Sequence, residues 1–545
     1  MPPVLRSLSF FFIALLSPAL LANPAAEIAS RVQPPLRSVY EARQFAPLWL
    51  DGNKPTTRAT QALDMIGQAA FDGLRSADYS LTTLQQSLSA LQQQNSSDAA
   101  QLATFDLALS KALAQFASDL YLGRVDPRSL SIAIDTSEKR AAFAQHLQAV
   151  LTTNDLTGAI ATLRPTFPPY ADLRRLLVQY RALAEQYPIA PTLPPLPGKK
   201  LTPTESWAGT PALAAWLKTL GFLPENANVT TLYDGAVVEG VKQFQQQHGQ
   251  IPDGVLGKQT YDNLRITIPD RVKQIEFSME RLRWLDDNTL RKRFLLINVP
   301  QFTLWAYEPD TNGQAKSVLQ MPVVVGKARK NQTPLMQKTL SSIVFTPYWN
   351  VPRSIIVKEI LPKLDENPFY LAHENMELVG SNGSLGSAVN DAEFDGIARG
   401  AYRIRQRPGA GNALGTLKFV FPNDDAIYMH DTPSKSFFAK ERRDLSHGCV
   451  RLGNPMALAL FVLEPQGGWD EARVKQMIAN SRDRHHPLSE QMPVLLIYLT
   501  ANVDSAGKAI FLNDIYAQDD KLAAALAKRP TETIAQNYPA QVSSN

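Results

Sequence analysis

The sequence predicts a multi-domain α+β chain: a helical scaffold domain, a small helical module, and a mostly-β domain that carries a helical, loop-rich insertion. Three observations predict it. From about Ala25 to Tyr187 the chain is rich in Ala, Leu and Gln at helical spacing. Pro188 to Thr204, PIAPTLPPLPGKKLTPT, is too dense in proline for a helix or a central strand and reads as a stiff linker. After Arg291 short runs of β-branched and aromatic residues take over, parted by turn residues.

The first residues carry one positive charge, Arg6, then an apolar core from Leu8 to Leu16, then Pro18 and small residues. This is the layout of a secretory signal, with cleavage expected after Ala22. Residues 1–22 are therefore set apart, and the mature protein is expected outside the cytoplasm. The alternative is an uncleaved signal that anchors the chain in the inner membrane. At 545 residues, roughly two to four domains are expected. A net charge of +4, with no strongly basic tract, argues against nucleic acid as a partner.

Each element has its own signal. In the scaffold domain, placed at 25–200, Leu109, Leu113, Phe116, Leu120 and Leu122 fall near one helical face, which Gly123 and Pro127 end. In the module, placed at 206–266, Val237, Val241 and Phe244 share a face. Gly249 ends that helix, Pro252-Asp253-Gly254 makes a turn, and Thr260 is expected to cap a last short helix. A connecting helix is expected at 270–292. The runs RFLLINVP, FTLWAYEP, VLQMPVVVG, SSIVFTPYWNVP, TLKFVFPN, AIYMH and PVLLIYLTANV read as strands of a domain at 293–516. Spacing for helical crossovers is mostly missing, so an antiparallel or mixed sheet is expected. Residues 353–405 lose that texture and read as an insertion of helix and loop, of the kind that often forms a lid. Residues 517–545 read as a C-terminal tail.

Chemistry concentrates in SHGCVRL, Ser446 to Leu452, which holds the single cysteine of the chain. An exported protein with one cysteine cannot pair it internally. Cys449 is either an inert buried thiol or a nucleophile. A thiol attacks as thiolate, which a nearby histidine or cation favours. His447 and Arg451 flank Cys449, and His430 lies upstream in AIYMHDTP. Gly448 permits a tight turn, and the N–H groups of Gly448 and Cys449 are candidates for an oxyanion site. His146, His248 and His373 stand outside any motif. His485-His486 has no partner at ligand spacing, so no metal site is expected.

SHGCVRL and IYMHDTP closely resemble the active-site segments of the L,D-transpeptidase catalytic domain. The likeness extends through TPYWNVPRSI, RQRPGAGNALGTLKFVFPN and PVLLIYLTANVDSAGKAIFLNDIY. VKQFQQQHG and DGVLGKQTYDNL resemble the three-helix peptidoglycan-binding domain family, whose fold here either binds wall or serves as a spacer. The whole chain resembles the large periplasmic L,D-transpeptidases of Gram-negative bacteria, with a scaffold domain, a peptidoglycan-binding-like module and a mostly-β catalytic domain whose insertion caps the substrate.

The resemblance implies roles residue by residue. Cys449 is the nucleophile and His430 the general base and acid. The Asp431 carbonyl orients His430. Ser446, His447, Gly448 and Arg451 shape the pocket and oxyanion site. For His447 a structural role in the loop stands beside a chemical one, and for Arg451 a loop salt bridge stands beside substrate carboxylate binding. Trp349 and Tyr428 are pocket walls or core. The substrates implied are peptidoglycan tetrapeptide stems, as donor and as acceptor, joined by a diaminopimelate–diaminopimelate crosslink. No cofactor is implied. Carbapenem-type β-lactams are implied as covalent inhibitors, and other cell-wall synthesis enzymes are possible partners. A hydrolase acting on the same bond and a non-catalytic wall-binding scaffold are the rival readings.

Overall fold

The computed structural model describes residues 23–93 and 98–528. Residues 1–22, where a signal segment is expected, and residues 529–545 of the expected tail lie outside the described residues. Among those described, no helix is long and apolar enough to cross a membrane.

The long scaffold helix α1 (Ala99–Leu122) starts at Asp98, whose carboxylate accepts from the Ala100 amide, and ends at Gly123 with φ +84°. Leu109, Leu113, Phe116, Leu120 and Leu122 are all buried. Asp106 is also buried on this helix. It accepts from the Leu48 and Trp49 amides at 3.1 and 2.8 Å and from the Tyr40 hydroxyl at 2.5 Å. Those bonds satisfy an acid that the dry interior would otherwise reject. The later scaffold helix α2 (Pro168–Gln186) belongs as much to the β domain as to the scaffold: Tyr170, Leu173, Leu176 and Leu177 join the same hydrophobic core as the strands described below.

The proline-dense linker does not run free. Tyr261 donates to the carbonyls of Leu193 and Pro194, Trp207 donates to Pro195, and Lys200–Leu201 pairs with Leu256–Gly257. The module holds three helices, Thr210–Thr219, α3 (Gly235–Gln247) and Lys258–Leu264. Val237, Val241 and Phe244 are buried, and Gly249 and Gly254 take left-handed φ values of +65° and +72°. Thr260 does not cap. The last helix starts after Gly257, and the Thr260 hydroxyl lies buried inside it, donating to Gln250 at 2.8 Å. A buried amide outcompeted the helix end for that hydroxyl. The connector is α4 (Ile268–Arg283), capped by Thr267.

The β domain comprises β1 (Phe294–Asn298), β2 (Thr303–Pro309), β3 (Ala315–Gly326), β4 (Met336–Phe345), then the short β5 (Trp349–Asn350), β6 (Met376–Gly380), β7 (Gly383–Gly386) and β8 (Arg403–Gln406), and finally β9 (Leu417–Val420), β10 (Met429–His430), β11 (Asp444–Ser446), β12 (Val450–Leu452) and β13 (Arg484–Ile497). The main sheet runs β11-β3-β12-β10-β9-β4-β13-β1-β2, and β2 pairs again with β3, so the sheet closes on itself. Closure removes the exposed edges that an open sheet would leave. Most pairs are antiparallel; β10–β12, β11–β3 and β13–β1 are parallel. The scaffold is welded to the ring, because Ala133 bridges to β4: its amide donates to the Leu335 carbonyl and its carbonyl accepts from the Gln337 amide, each at 3.0 Å.

The insertion is more strand-bearing than its texture suggests. β6, β7, β8 and β5 form a separate sheet, beside a helical run from Arg353 to Glu366 whose middle, Ile356–Ile360, is a π-turn. Ile355, Ile356, Leu364, Leu371, Leu378, Ile397 and Ile404 give it a core of its own. The strands are short, and the β6–β7 hairpin is rich in Gly and Ser, which hides the alternation that marks a strand. The start of the tail is also ordered: Gln518–Ala527 is a helix that buries Leu522 and ties Asp519 to Arg281 at 2.6 Å. Because the insertion has its own core, Leu371→Ala should destabilise it locally by about 2–5 kcal/mol. Hydrogen exchange should then quicken across 353–406 while β1, β4 and β13 keep their protection; equal loosening of the ring would contradict a separate core.

Candidate active site

The pairing of β10 with β12 sets the site. Met429 lies opposite Val450, and both are fully buried in the ring core. Side chains alternate along a strand, so their neighbours His430 and Arg451, a directly opposed pair, point the other way. Tyr428 and Cys449, one step further back, return to that outer side. β9 adds Lys418, which is registered opposite His430, while its neighbour Phe419 faces the core with Met429. Five chemically active side chains thus share one face: Lys418, Tyr428, His430, Cys449 and Arg451.

Cys449 sits in the loop between β11 and β12. Ser446 shapes this loop by donating its hydroxyl to the Cys449 carbonyl at 2.6 Å while accepting from the Gly448 amide at 3.1 Å. The Gly448 N–H is therefore engaged by Ser446 and does not face an oxyanion. The Cys449 N–H makes no bond among the described residues and is the amide left to do so. Gly448 has φ +122°, a conformation side chains rarely adopt, and a Cβ there would meet Ile427 at 3.1 Å. From below, Thr333 donates to the Gly448 carbonyl at 2.6 Å and accepts from the Gly326 amide at 2.8 Å. Tyr516 completes this support, accepting from the Thr333 amide and donating to the Gly326 carbonyl.

His430 is buried, and its Nδ1 lies 2.5 Å from the Asp431 carbonyl oxygen. A carbonyl has no proton to give, so Nδ1 carries the hydrogen and Nε2 keeps a free lone pair. The Asp431 carboxylate is turned away. It accepts from the Thr416 amide and hydroxyl, from the Thr432 amide and from Lys435. Burial, and next the Arg451 cation, push the His430 imidazolium down to about 3. Burial also pushes the Cys449 thiol up, against the Tyr428 backbone first and then Lys418 and Arg451, which favour its thiolate. The resting pair is thus a neutral thiol and a neutral imidazole. Cys449 Sγ lies 3.9 Å from the Ala426 carbonyl, and no hydrogen bond joins it to His430.

Arg451 has no carboxylate within ion-pair distance among the described residues, and its buried Nε has no hydrogen-bond partner. The loop salt bridge is therefore not formed. Instead the guanidinium lies 5.6 Å from the Phe437 ring and lines a cavity of about 230 Å³ beneath the insertion, with Trp349, Glu359, Lys363, Tyr370 and Glu374. His447 points away from Cys449's neighbours toward the insertion, where its Nε2 meets Glu359 at 2.7 Å on the π-turn. Trp349 is half-buried and packs on the insertion's core. Tyr428 packs its ring 5.6 Å from His430. Thr333, Tyr516, Lys418 and Glu359 escaped the sequence reading. Among the described residues, no group of three His, Cys, Asp or Glu is placed to hold a metal ion.

The depressed His430 gives a pH signature. Below its ordinary value of 6.5 the unfolded chain takes up a proton there that the folded chain refuses until about pH 3. Its contribution to stability is complete above pH 6.5 and is lost as pH falls toward 3. His430→Gln should therefore lose less of its urea midpoint between pH 7 and pH 4.5 than the parent does; parallel losses would contradict the buried neutral imidazole.

The β domain, the module and the scaffold each match a family model. Residues 292–468 match the family model described as L,D-transpeptidase catalytic domain, residues 209–264 one described as "Putative peptidoglycan binding domain", and residues 34–177 one described as scaffold domain. A curated protein of Haemophilus influenzae named "Putative L,D-transpeptidase" is 32% identical over 275 residues, covering 49% of this chain and 53% of that protein. The chain thus spans about half the length of that relative. Of solved structures, an L,D-transpeptidase of Xylanimonas cellulosilytica aligns at 14% identity and TM-score 0.18, over 56% of this chain and 100% of its own. A fused Zn-dependent amidase/peptidase with a peptidoglycan-binding domain, from Clostridium acetobutylicum, aligns at 10% identity and TM-score 0.16, over 55% of this chain and 99% of its own. Neither superposition is close enough to carry an argument. Residues 292–468, with the His430 strand and the Cys449 loop inside them, thus match the L,D-transpeptidase catalytic domain, behind regions that match a scaffold domain and a peptidoglycan-binding domain.

Proposed function

We propose that the protein is an L,D-transpeptidase acting outside the cytoplasm on peptidoglycan, with Cys449 as nucleophile and His430 as general base. The observation that carries the reading is the shared face: a thiol, an imidazole with a bare Nε2, and an arginine with no internal counter-ion beside a cavity. His430 takes the Cys449 proton. The thiolate attacks the carbonyl joining the L-centre of diaminopimelate to the terminal D-alanine of a tetrapeptide stem. The Cys449 N–H faces the oxyanion that develops. His430 returns the proton to the leaving D-alanine amine, and a thioester remains. The amine of a second diaminopimelate attacks the thioester, and the thiol is restored as the new amide forms. No nucleotide is consumed, because the thioester keeps the energy of the cleaved bond.

The cavity under the insertion fits the far end of the donor diaminopimelate, which bears one carboxylate and one ammonium. Arg451 and Lys363 suit the carboxylate; Glu359 and Glu374 suit the ammonium. A volume of about 230 Å³ accepts a side chain of this size. A carboxylate on Arg451 would also offset the Arg451 charge, which after burial is the second cause of the low His430 value, so the base would strengthen with substrate in place. The module at 209–264 is proposed to keep the enzyme on the wall.

Incubation with tetrapeptide-rich muropeptides tests the reading. Mass spectrometry should find an acyl adduct on Cys449 and diaminopimelate-crosslinked dimers, both absent from a folded Cys449→Ala variant. Free tripeptide with no dimer would make the protein a hydrolase, and an adduct-free wild type would leave only a binding role. A carbapenem should likewise acylate Cys449, through ring opening by the thiolate, and the rate should rise with pH as the thiol ionises. Peptide mapping that places the adduct on a serine would refute this account of the pocket.

A further inference from the structure

We propose that the Lys418 ammonium is the electrostatic partner of the Cys449 thiolate, a positioning charge that meets the negative sulfur as His430 removes its proton. The inference rests on Cys449 being the nucleophile, and it concerns a residue outside the SHGCVRL and IYMHDTP segments. Lys418 lies on β9, registered opposite His430, so its side chain enters the same face. Its Nζ stands 4.0 Å from the centre of the Tyr428 ring. Tyr428 in turn lies one step back from His430 on the face that holds the Cys449 sulfur. No salt bridge and no hydrogen bond to Lys418 Nζ is made among the described residues, although the residue is half-buried. A partly buried ammonium that rests only on an aromatic face is a cation without its anion.

Every charged or titratable group that faces the sulfur can be named. They are Lys418 from β9, Tyr428 and His430 from β10, and Arg451 from β12. His430 rests neutral and Tyr428 is held as the phenol by its burial, so the two cations are the charges that remain. Lys418 also feels Asp483, more weakly than it feels Cys449. Of the two cations, Arg451 lines the cavity under the insertion and is the one a substrate carboxylate can neutralise. Lys418 lines no part of that cavity. The division of labour follows: Arg451 meets substrate, and Lys418 stays free to meet the thiolate throughout the cycle. The Tyr428 ring fixes where Lys418 points.

Because Cys449 is the single cysteine of the chain, alkylation by iodoacetamide reports on this sulfur alone. Its pH–rate curve can be measured on the full-length protein without substrate, so the outcome is independent of whether transpeptidation or hydrolysis follows. Lys418→Met keeps the stem and removes the charge. The curve should move to higher pH by about one unit, with alkylation near neutral pH falling roughly tenfold. Lys418→Arg, which keeps a cation over the Tyr428 ring, should recover most of the lost rate. A folded Lys418→Met protein, or Lys418→Gln where methionine is not accommodated, whose curve overlays the parent would overturn the proposal. So would an equal shift in the arginine variant, since that would trace the effect to packing rather than charge.

Discussion

Two residue pairs, Met429 with Val450 and His430 with Arg451, decide what this domain can do. Met429 and Val450 are held inside the ring by the hydrophobic effect, along with Phe419 on the neighbouring strand. Everything that alternates with them is forced outward, and that set is Lys418, Tyr428, His430, Cys449 and Arg451. A slip of one residue in this parallel pair would send the imidazole and the guanidinium into the core and two apolar side chains into the site. The apolar partners thus select the register, and the register assembles the chemistry.

The loop that carries the thiol depends on distant parts of the chain. Thr333, on the segment after β3, holds the Gly448 carbonyl, and Tyr516, beyond the last ring strand, holds Thr333 and the Gly326 carbonyl. These are polar groups closing on one another in a buried place, where each unmade bond would cost about 1–3 kcal/mol. The scaffold contributes to the same rigidity through Ala133, which extends the hydrogen bonding of β4, and through α2, whose apolar face enters the ring core. The thiol loop is thus held by Thr333, 115 residues before Gly448, and by Tyr516 on the far side of the last ring strand. That arrangement lets the backbone of Gly448 keep a strained left-handed turn while its neighbours fix the sulfur.

What was legible in the sequence is what is local. The heptapeptide around Cys449, the leucine face of α1 and the β-branched strands each state their role within a few residues, because alternation, helical period and a glycine before a nucleophile are short-range signals. Thr333 and Lys418 were invisible for the opposite reason: their partners are far away in sequence, and a threonine or a lysine in a strand region is unremarkable until a register brings it beside a thiol. The β6–β7 hairpin was missed because Gly and Ser suppress strand texture, and Thr260 misled because a hydroxyl near a helix start can cap or can bond a buried amide. The tail concealed a helix whose anchor, Asp519 to Arg281, is again non-local. Asp431 shows the limit in the other direction. A Cys, a His and an Asp in one short stretch invite a triad, yet the carboxylate serves Thr416, Thr432 and Lys435, and the backbone carbonyl does the orienting.

The electrostatics of the resting site look adverse at first, with a base held down to about 3 and a thiol pushed up. Both shifts have burial as their largest cause. The second cause for His430 is the Arg451 charge, which is the one a bound carboxylate can offset. On the proposed reading, such a site would keep its thiol protonated while empty and gain basicity when an anion pairs with Arg451. On the same reading the neutral pair would become a charged one beside the Lys418 cation and the Asp431 carbonyl. Charge separation inside a partly dry pocket is costly unless its partners stand in place beforehand. Here they do, since the ring pairs that set the face hold Lys418, Arg451 and the Asp431 backbone as firmly as they hold His430.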